Sequence, residues 1–351
     1  MKLHSFYVLI VAAFLTACGG EAVKETTQIN KLAIPNWVNT TPNNADSYDA
    51  VVTVSKEEGS VSAAQKAATQ INNQVKQDLS VAYNAYFDKR AKQQSGLEKR
   101  VRTEVVSQLP QINTLGVMVV AEFQNPETGD VSVWAQLKNS DVSANLEASR
   151  KNLDEHLRNY VHVSDSGSDL NKLLSILPAL PTIELKRQLG VYASHFSGNK
   201  AQKLPNDRLA KLLDVELSNS FSDLVFSLSS TTDESKPYEK ALSKQMSVAG
   251  LNTSAYKADL IVKYFVENDV ENKAGVNNVT LVADSEMLDS HGRSFATVGN
   301  EYQGAHIDQN VAVDQALAAF SNDMVTVVSG AMTEFMNKAN ERQPLPAVFE
   351  K

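Results

Sequence analysis

YDAVVTVSKEEGSVSAAQKAATQINNQVKQDLSVAYNAY, residues 48–86, changes its periodicity once, at Gly59-Ser60, and that change decides the fold. Before it, Ala50-Val51-Val52-Thr53-Val54 is a β-branched run that predicts a strand. After it, Ala64, Ala68, Ile71, Val75, Leu79, Ala82 and Tyr86 step by three and four. That spacing predicts one long helix over 61–92 with a single apolar stripe. Its first alanines leave room for a sheet to approach closely. A more charged helix is predicted over 97–109, stopped by Pro110. Two strands, 115–123 and 131–137, flank Asn125-Pro126-Glu127-Thr128-Gly129-Asp130, whose Pro and Gly are hairpin chemistry. A further helix opens at Asp141 or Ser143 and runs to about Tyr160. Strand, helix, hairpin and helix make an α+β unit, with helices on one face of a mainly antiparallel sheet.

The second half repeats this logic after a helical middle. Residues 162–168 are a break. Residues 169–177, 182–194 and 206–219 read as helices, with Pro178 and Pro181 interrupting the first two and a polar stretch over 198–205. Leu224, Phe226 and Leu228 alternate as a strand, Pro237 starts a helix, and Gly250 ends it. Three strands follow, over 258–266, 276–288 and 293–302, with Asp289-Ser290-His291-Gly292 as a tight turn. The last helix, 308–339, carries Val313, Leu317, Phe320, Met324, Val327, Ala331 and Phe335 as its stripe. The expected organisation is a signal segment 1–17, a tether 18–33, an α+β domain 34–162, a helical connector 163–219, a second α+β domain 220–340 and a tail 341–351.

The Pro35-x-Trp37 opening, the strand, the alanine-rich helix 61–82 and the Gly116-Val117…Gly129-Asp130-Val131 hairpin resemble the LPP-twenty lipoprotein family over roughly residues 34–160. The order strand, helix, three strands, helix near the C-terminus resembles periplasmic lipoprotein domains of the TolB-amino-terminal and curli-secretion class. That second resemblance is one of topology alone.

The N-terminus agrees. Lys2 precedes an apolar run from Phe6 to Ala17, then Cys18-Gly19-Gly20. A basic start, a short apolar core and small residues before a cut are the parts of an export signal. The run is shorter than the ~20 residues needed to span a bilayer. Leu15-Thr16-Ala17-Cys18 resembles the lipobox of bacterial lipoproteins. The resemblance implies that the Cys18 thiol takes a diacylglycerol, that the bond before it is cut, and that its new amino group is acylated. Cys18 is the only cysteine in the chain, so it has no disulfide partner. One acyl chain binds a membrane only marginally, whereas two or three anchor stably. Glycine at position 19, where an aspartate often signals retention in the inner membrane, implies the outer membrane, periplasmic face. Fully extended, the roughly 15 residues after Cys18 reach ~50 Å at about 3.3–3.6 Å each.

The chain has 351 residues and a net charge of −8, and loss of Lys2 with the signal leaves it one unit more acidic. An acidic chain is a poor nucleic-acid binder, because neutralising phosphates needs clustered Lys and Arg. It is equally unsuited to lying on anionic lipid by charge alone. A hydrophobic share of 42% suffices for sizeable cores, and the mature length suits two domains.

No motif in the sequence marks an enzyme. There is no Gly-x-Ser-x-Gly elbow, Walker loop or His-Glu-x-x-His. His156 and His162 lie six apart and do not share a helix face. Asp289-Ser290-His291 imitates a triad, but neighbours in sequence rarely converge in space, and the same residues suit a turn. Gly299 and Gly304 precede a helix start with Asp308 as its N-cap. The expectation is therefore a non-enzymatic protein without metal or cofactor beyond the acyl chains on Cys18. Candidate interface anchors are Trp37, Trp134 and Tyr86, since tryptophan and tyrosine are enriched at binding hot spots. Its partners are expected to be the membrane and other envelope proteins, and open sheet edges allow homo-oligomers. Three roles compete: a scaffold or assembly factor at the outer membrane, flagellum-associated or otherwise; a regulator of a peptidoglycan synthase, which a short tether disfavours; and a small-ligand binder or enzyme.

Overall fold

The computed structural model describes residues 33–94, 96–110, 116–161, 168–197 and 207–341. The first half holds α1 (Asn36–Asn39), β1 (Ser47–Val54), α2 (Gly59–Ala91), α3 (Gly96–Ser107), β2 (Met118–Gln124), β3 (Val131–Lys138) and α4 (Asn139–Arg158). The helical middle holds α5 (Asp169–Ile176), a 3-10 turn at Leu177–Ala179, α6 (Leu180–Phe196) and α7 (Arg208–Asp223). The last part holds β4 (Val225–Ser230), a 3-10 turn at Lys236–Tyr238, α8 (Glu239–Ala249), β5 (Asn252–Thr253), β6 (Leu260–Lys273), β7 (Val276–Asp289), β8 (Ser294–His306) and α9 (Gln309–Asn340). The protein is α+β, as its periodicities imply.

The first sheet has the order β1-β3-β2 and is antiparallel throughout. Two faces follow from its strand register. Ala50, Val54, Val131, Val133, Ala135 and Leu137 are buried on the side of α2, while Asp49, Val51, Trp134 and Gln136 face the other way. The second sheet has the order β5-β4-β6-β7-β8. Its β6-β7-β8 meander is antiparallel, but β4 runs parallel to both β5 and β6. Parallel neighbours need a crossover, and α8 supplies it. The two-residue β5 lies below the length that alternation in a sequence can reveal. One face of this sheet packs on α8 and α9 through Val262, Tyr264, Val266, Leu281 and Ala283. The other is open, with Lys263, Glu267, Asp284 and Glu286 exposed.

The segment expected to be a connector is, over its described residues 168–197 and 207–219, the most enclosed part of the chain. Ile183, Glu184, Leu185 and Leu189 of α6 are each 1% exposed or less. Helix α6 packs against α2, α3, α4 and α7. Pro178 and Pro181 fall at the expected break, α5 ending at Ile176 and α6 starting at Leu180. They sit in first turns, where a proline lacks no needed hydrogen bond. Helix α3 turns its line Leu97, Val101 and Val105 into the core that also holds α9. Gly96 and Gly250 clamp this junction. A Cβ on Gly96 would lie 2.2 Å from the Ala249 carbonyl oxygen, and Gly250 has a φ of +93°.

Both long helices bury a different line from the expected one. In α2 the buried residues are Ala63, Ala67, Ile71, Val75, Leu79, Tyr83 and Ala91, while Ala64, Ala68, Ala82 and Tyr86 are half-buried. In α9 the line is Ala312, Ala316, Phe320, Met324, Val328, Met332 and Met336, with Leu317 beside it. Val313, Val327 and Ala331 are half-buried and Phe335 is 41% exposed. Steps of four overshoot a helical turn by about 40°, so each buried line spirals round its helix. The partners change along the way. Helix α2 leaves the first sheet for α6. Helix α9 leaves β8, where Gly304 nearly touches Ala312, for α3, where Arg100 Nη1 donates to Thr326 Oγ1 at 2.7 Å.

Candidate functional site

Cys18 and its neighbours Leu15, Thr16 and Ala17 lie outside the described residues. The three aromatic candidates lie within them. Trp37, on the single turn of α1, meets Trp134 of β3 with ring centroids 6.3 Å apart. They meet on the face of the first sheet turned away from α2, and each is half-buried. Asp49 organises this face. Its Oδ1 accepts from Trp134 Nε1 at 2.8 Å and from Gln136 Nε2 at 3.1 Å, and its Oδ2 accepts from Ser47 Oγ at 2.7 Å. Thr53 and Ser132 pair their hydroxyls at 2.8 Å. The residues that align across this face explain the contacts: Val51 stands opposite Trp134, and Thr53 opposite Ser132.

Tyr86 is not part of that constellation. It stacks on Tyr83 at 6.4 Å near the C-terminal end of α2, in a cluster with Phe87 and Tyr192.

Beside the tryptophan face lies an open edge. Among the described residues strand β2 pairs only with β3, and Met118, Val119 and Val120 are 48%, 53% and 44% exposed. The register slips between Val119 and Ala121, next to these three consecutive exposed apolar residues. An unpaired edge presents rows of free N–H and C=O groups that another strand can complete. A run of three outward apolar residues leaves no alternation for sequence reading to catch.

Sequence reading also missed a charged core where α2, α3, α6 and α7 meet. Arg90 Nη1, Arg102 Nη1 and Arg187 Nη1 all donate to Glu184 Oε1, at 2.9, 2.6 and 2.8 Å. Each of these arginines also reaches Asp214, within 2.9 Å. Arg102 Nε and Ser218 Oγ both donate to Glu98 Oε1. Three positive and three negative side chains thus cancel. Burial pushes the Glu184 carboxyl up, but Arg187, Arg102 and Arg90 outweigh it and hold it well below the usual carboxylate range. Asp214 is lowered for the same reasons. The only sequence signals are Glu98 with Arg102 four apart and Glu184 with Arg187 three apart, spacings that also describe solvated helix faces. With its charges matched and Glu184 wholly enclosed, the cluster joins four helices and presents no reactive group to solvent.

Histidines and turns take ordinary places. His156 Nδ1 lies 2.9 Å from Thr182 Oγ1, and His162 is outside the described residues. Asp289 Oδ1 accepts from the backbone N–H groups of His291 and Arg293, and its Oδ2 from Arg293 Nε. That geometry is a hairpin turn, and the carboxylate is occupied in it. Asp308 caps α9 by accepting from Asn310 N at 2.8 Å. Among the described residues no three His, Cys, Asp or Glu side chains are grouped as metal ligands, and no helix is long and apolar enough to cross a membrane.

No protein-family model and no curated protein matches the sequence. The LPP-twenty resemblance therefore stays one of pattern. Among solved structures, a minor lipoprotein of Acinetobacter baumannii is 10% identical with a TM-score of 0.23, over 30% of this chain and 92% of its own. A lipoprotein of Neisseria meningitidis is 11% identical with a TM-score of 0.22, over 29% and 98%. A secreted protein of Helicobacter pylori is 10% identical with a TM-score of 0.36, over 80% of this chain and 98% of its own. The chain is similar to lipoproteins and a secreted protein of bacteria, at levels that carry no functional argument.

Proposed function

We propose that this protein is a non-enzymatic lipoprotein of the bacterial envelope, anchored by acyl chains on Cys18 and acting as a scaffold or assembly factor at the periplasmic face of the outer membrane. The observation that carries the reading is Leu15-Thr16-Ala17-Cys18 at the end of a short apolar run, resembling a lipobox. The resemblance of residues 34–160 to the LPP-twenty family points the same way. The open β2 edge supplies a means of action. An extended segment of a partner adds to it by main-chain hydrogen bonds, with Met118, Val119 and Val120 as apolar contacts.

The test places a photo-crosslinking residue at Val120 of the full chain in cells. Discrete adducts with one or a few envelope proteins are expected. A lysine at Val119, which is solvent-exposed, keeps the fold and weakens capture by about tenfold, the equivalent of ~1.4 kcal/mol. Adducts that are absent, or indifferent to the lysine, count against the reading.

A further inference from the structure

We propose that the tryptophan face of the first sheet is a lipid-docking surface, seated on the leaflet that holds the acyl chains of Cys18. The inference rests on lipidation of Cys18 and names what this face contacts.

The chain itself sets the position. The described residues begin at Ala33, and some 15 residues separate it from Cys18. Fully extended, a segment of that length reaches at most about 50 Å, at roughly 3.3–3.6 Å per residue. Helix α1 is the first described element after Cys18, so the surface under it lies nearest the anchor along the chain. Both tryptophans of the chain are on that surface, 6.3 Å apart. An indole combines a large apolar ring with one polar N–H and concentrates at the membrane–water interface. Around the pair, Ile34 is 46% and Met118 48% exposed, and Ala121 and Phe123 of β2 share the face by register.

The polar groups of the face are ready for contact. Asp49 already accepts from Trp134, Gln136 and Ser47, and Thr53 already pairs with Ser132. Groups bonded to one another lose little when water leaves, whereas unpartnered ones lose much. The chain is acidic overall, so attraction to anionic headgroups is not the driving force, and docking is insensitive to salt. Seated this way, the first sheet lies face-down. Its β2 edge then points along the membrane, open to a strand from a neighbour held in the same leaflet.

The experiment uses the full lipidated protein, with the acyl mass on Cys18 checked by mass spectrometry. It is reconstituted in phosphatidylcholine vesicles containing lipids brominated at shallow or deep acyl positions. Because Trp37 and Trp134 are the only tryptophans, emission reports this face alone. The expected result is a blue shift relative to detergent and loss of most emission to shallow bromines, unchanged by added salt. Deep bromines quench less. I34K and M118K variants, both at exposed positions, lose the shift while keeping their circular dichroism. Acylated protein with unquenched tryptophans overturns the docking and leaves the lipoprotein reading intact. No acyl mass on Cys18 overturns both. A blue shift that follows protein concentration in detergent, without lipid, overturns docking in favour of a second protein copy.

Discussion

Glu184 is the residue on which the interior most depends. One carboxylate oxygen takes a hydrogen bond from each of three guanidiniums, on a side chain with no exposed surface. Removing its charge in E184Q leaves Arg90, Arg102 and Arg187 facing only Glu98 and Asp214. Breaking a buried network by deleting one partner costs about 3–5 kcal/mol, so urea unfolding of E184Q is expected to shift by that amount. The same residue sets an acid limit. Its folded pKa lies below the ordinary carboxylate value of 4.5, so its contribution is full above that pH and is lost as pH falls toward the folded value. Stability measured from pH 6 down to pH 3 should therefore drop steeply below about 4.5 in the natural protein and less steeply in E184Q. Equal slopes would remove Glu184 from the account.

At the scale of the element, α2 shows what a one-residue shift in register means. The expected stripe and the observed line share Ile71, Val75 and Leu79 and part company on both sides. Sequence periodicity averages over the whole helix, but the helix changes partner along its length, so its buried side rotates. Alanines make the difference hard to see, because Ala63-Ala64 and Ala67-Ala68 offer either register. Leucine distinguishes them. Ala67 is wholly buried, so A67L overpacks and should cost about 1–3 kcal/mol. Ala68 is half-buried, so A68L should stay within about 0.5 kcal/mol. Thermal unfolding of the two variants makes the comparison, and equal costs would refute the assigned line.

For the whole molecule, the question is whether the two sheets stand apart. The helices between them answer it. Leu97, Val101 and Val105 of α3, Leu170 and Leu173 of α5, and Leu213 and Leu217 of α7 belong to one core with the second sheet and α9. Leu185 and Leu189 of α6 belong to the core of the first. A helix shared between cores couples them, and the charged cluster fastens it to α2, α3 and α7. We therefore expect a single cooperative transition in urea. The tryptophans report only the first sheet, whereas far-UV circular dichroism reports all helices and strands. The two probes should give one midpoint, and a second dichroism step unseen by tryptophan would show that the halves unfold separately.

Much of this was legible in the chain. Every strand but β5 and every helix of more than one turn has a periodic or punctuating signal: a β-branched run in β1, alternation in β4, three-and-four spacing in α9, Gly250 ending α8, Asn125–Asp130 turning the hairpin. These signals are local, because backbone geometry repeats over a few residues. The sequence also determined both tryptophans as candidates, though not that they meet. Contact between Trp37 and Trp134 depends on strand pairing across some hundred residues, and the exposure of Met118–Val120 depends on what covers the β2 edge. The charged core lies furthest from local reading. Its six side chains come from four helices, and each looks like a solvated charge until packing removes the water around it. Sequence determined the elements, since their causes lie within a turn or a hairpin. Tertiary structure decided which faces are covered, which edge is open and which charges are buried, since those depend on what lies opposite.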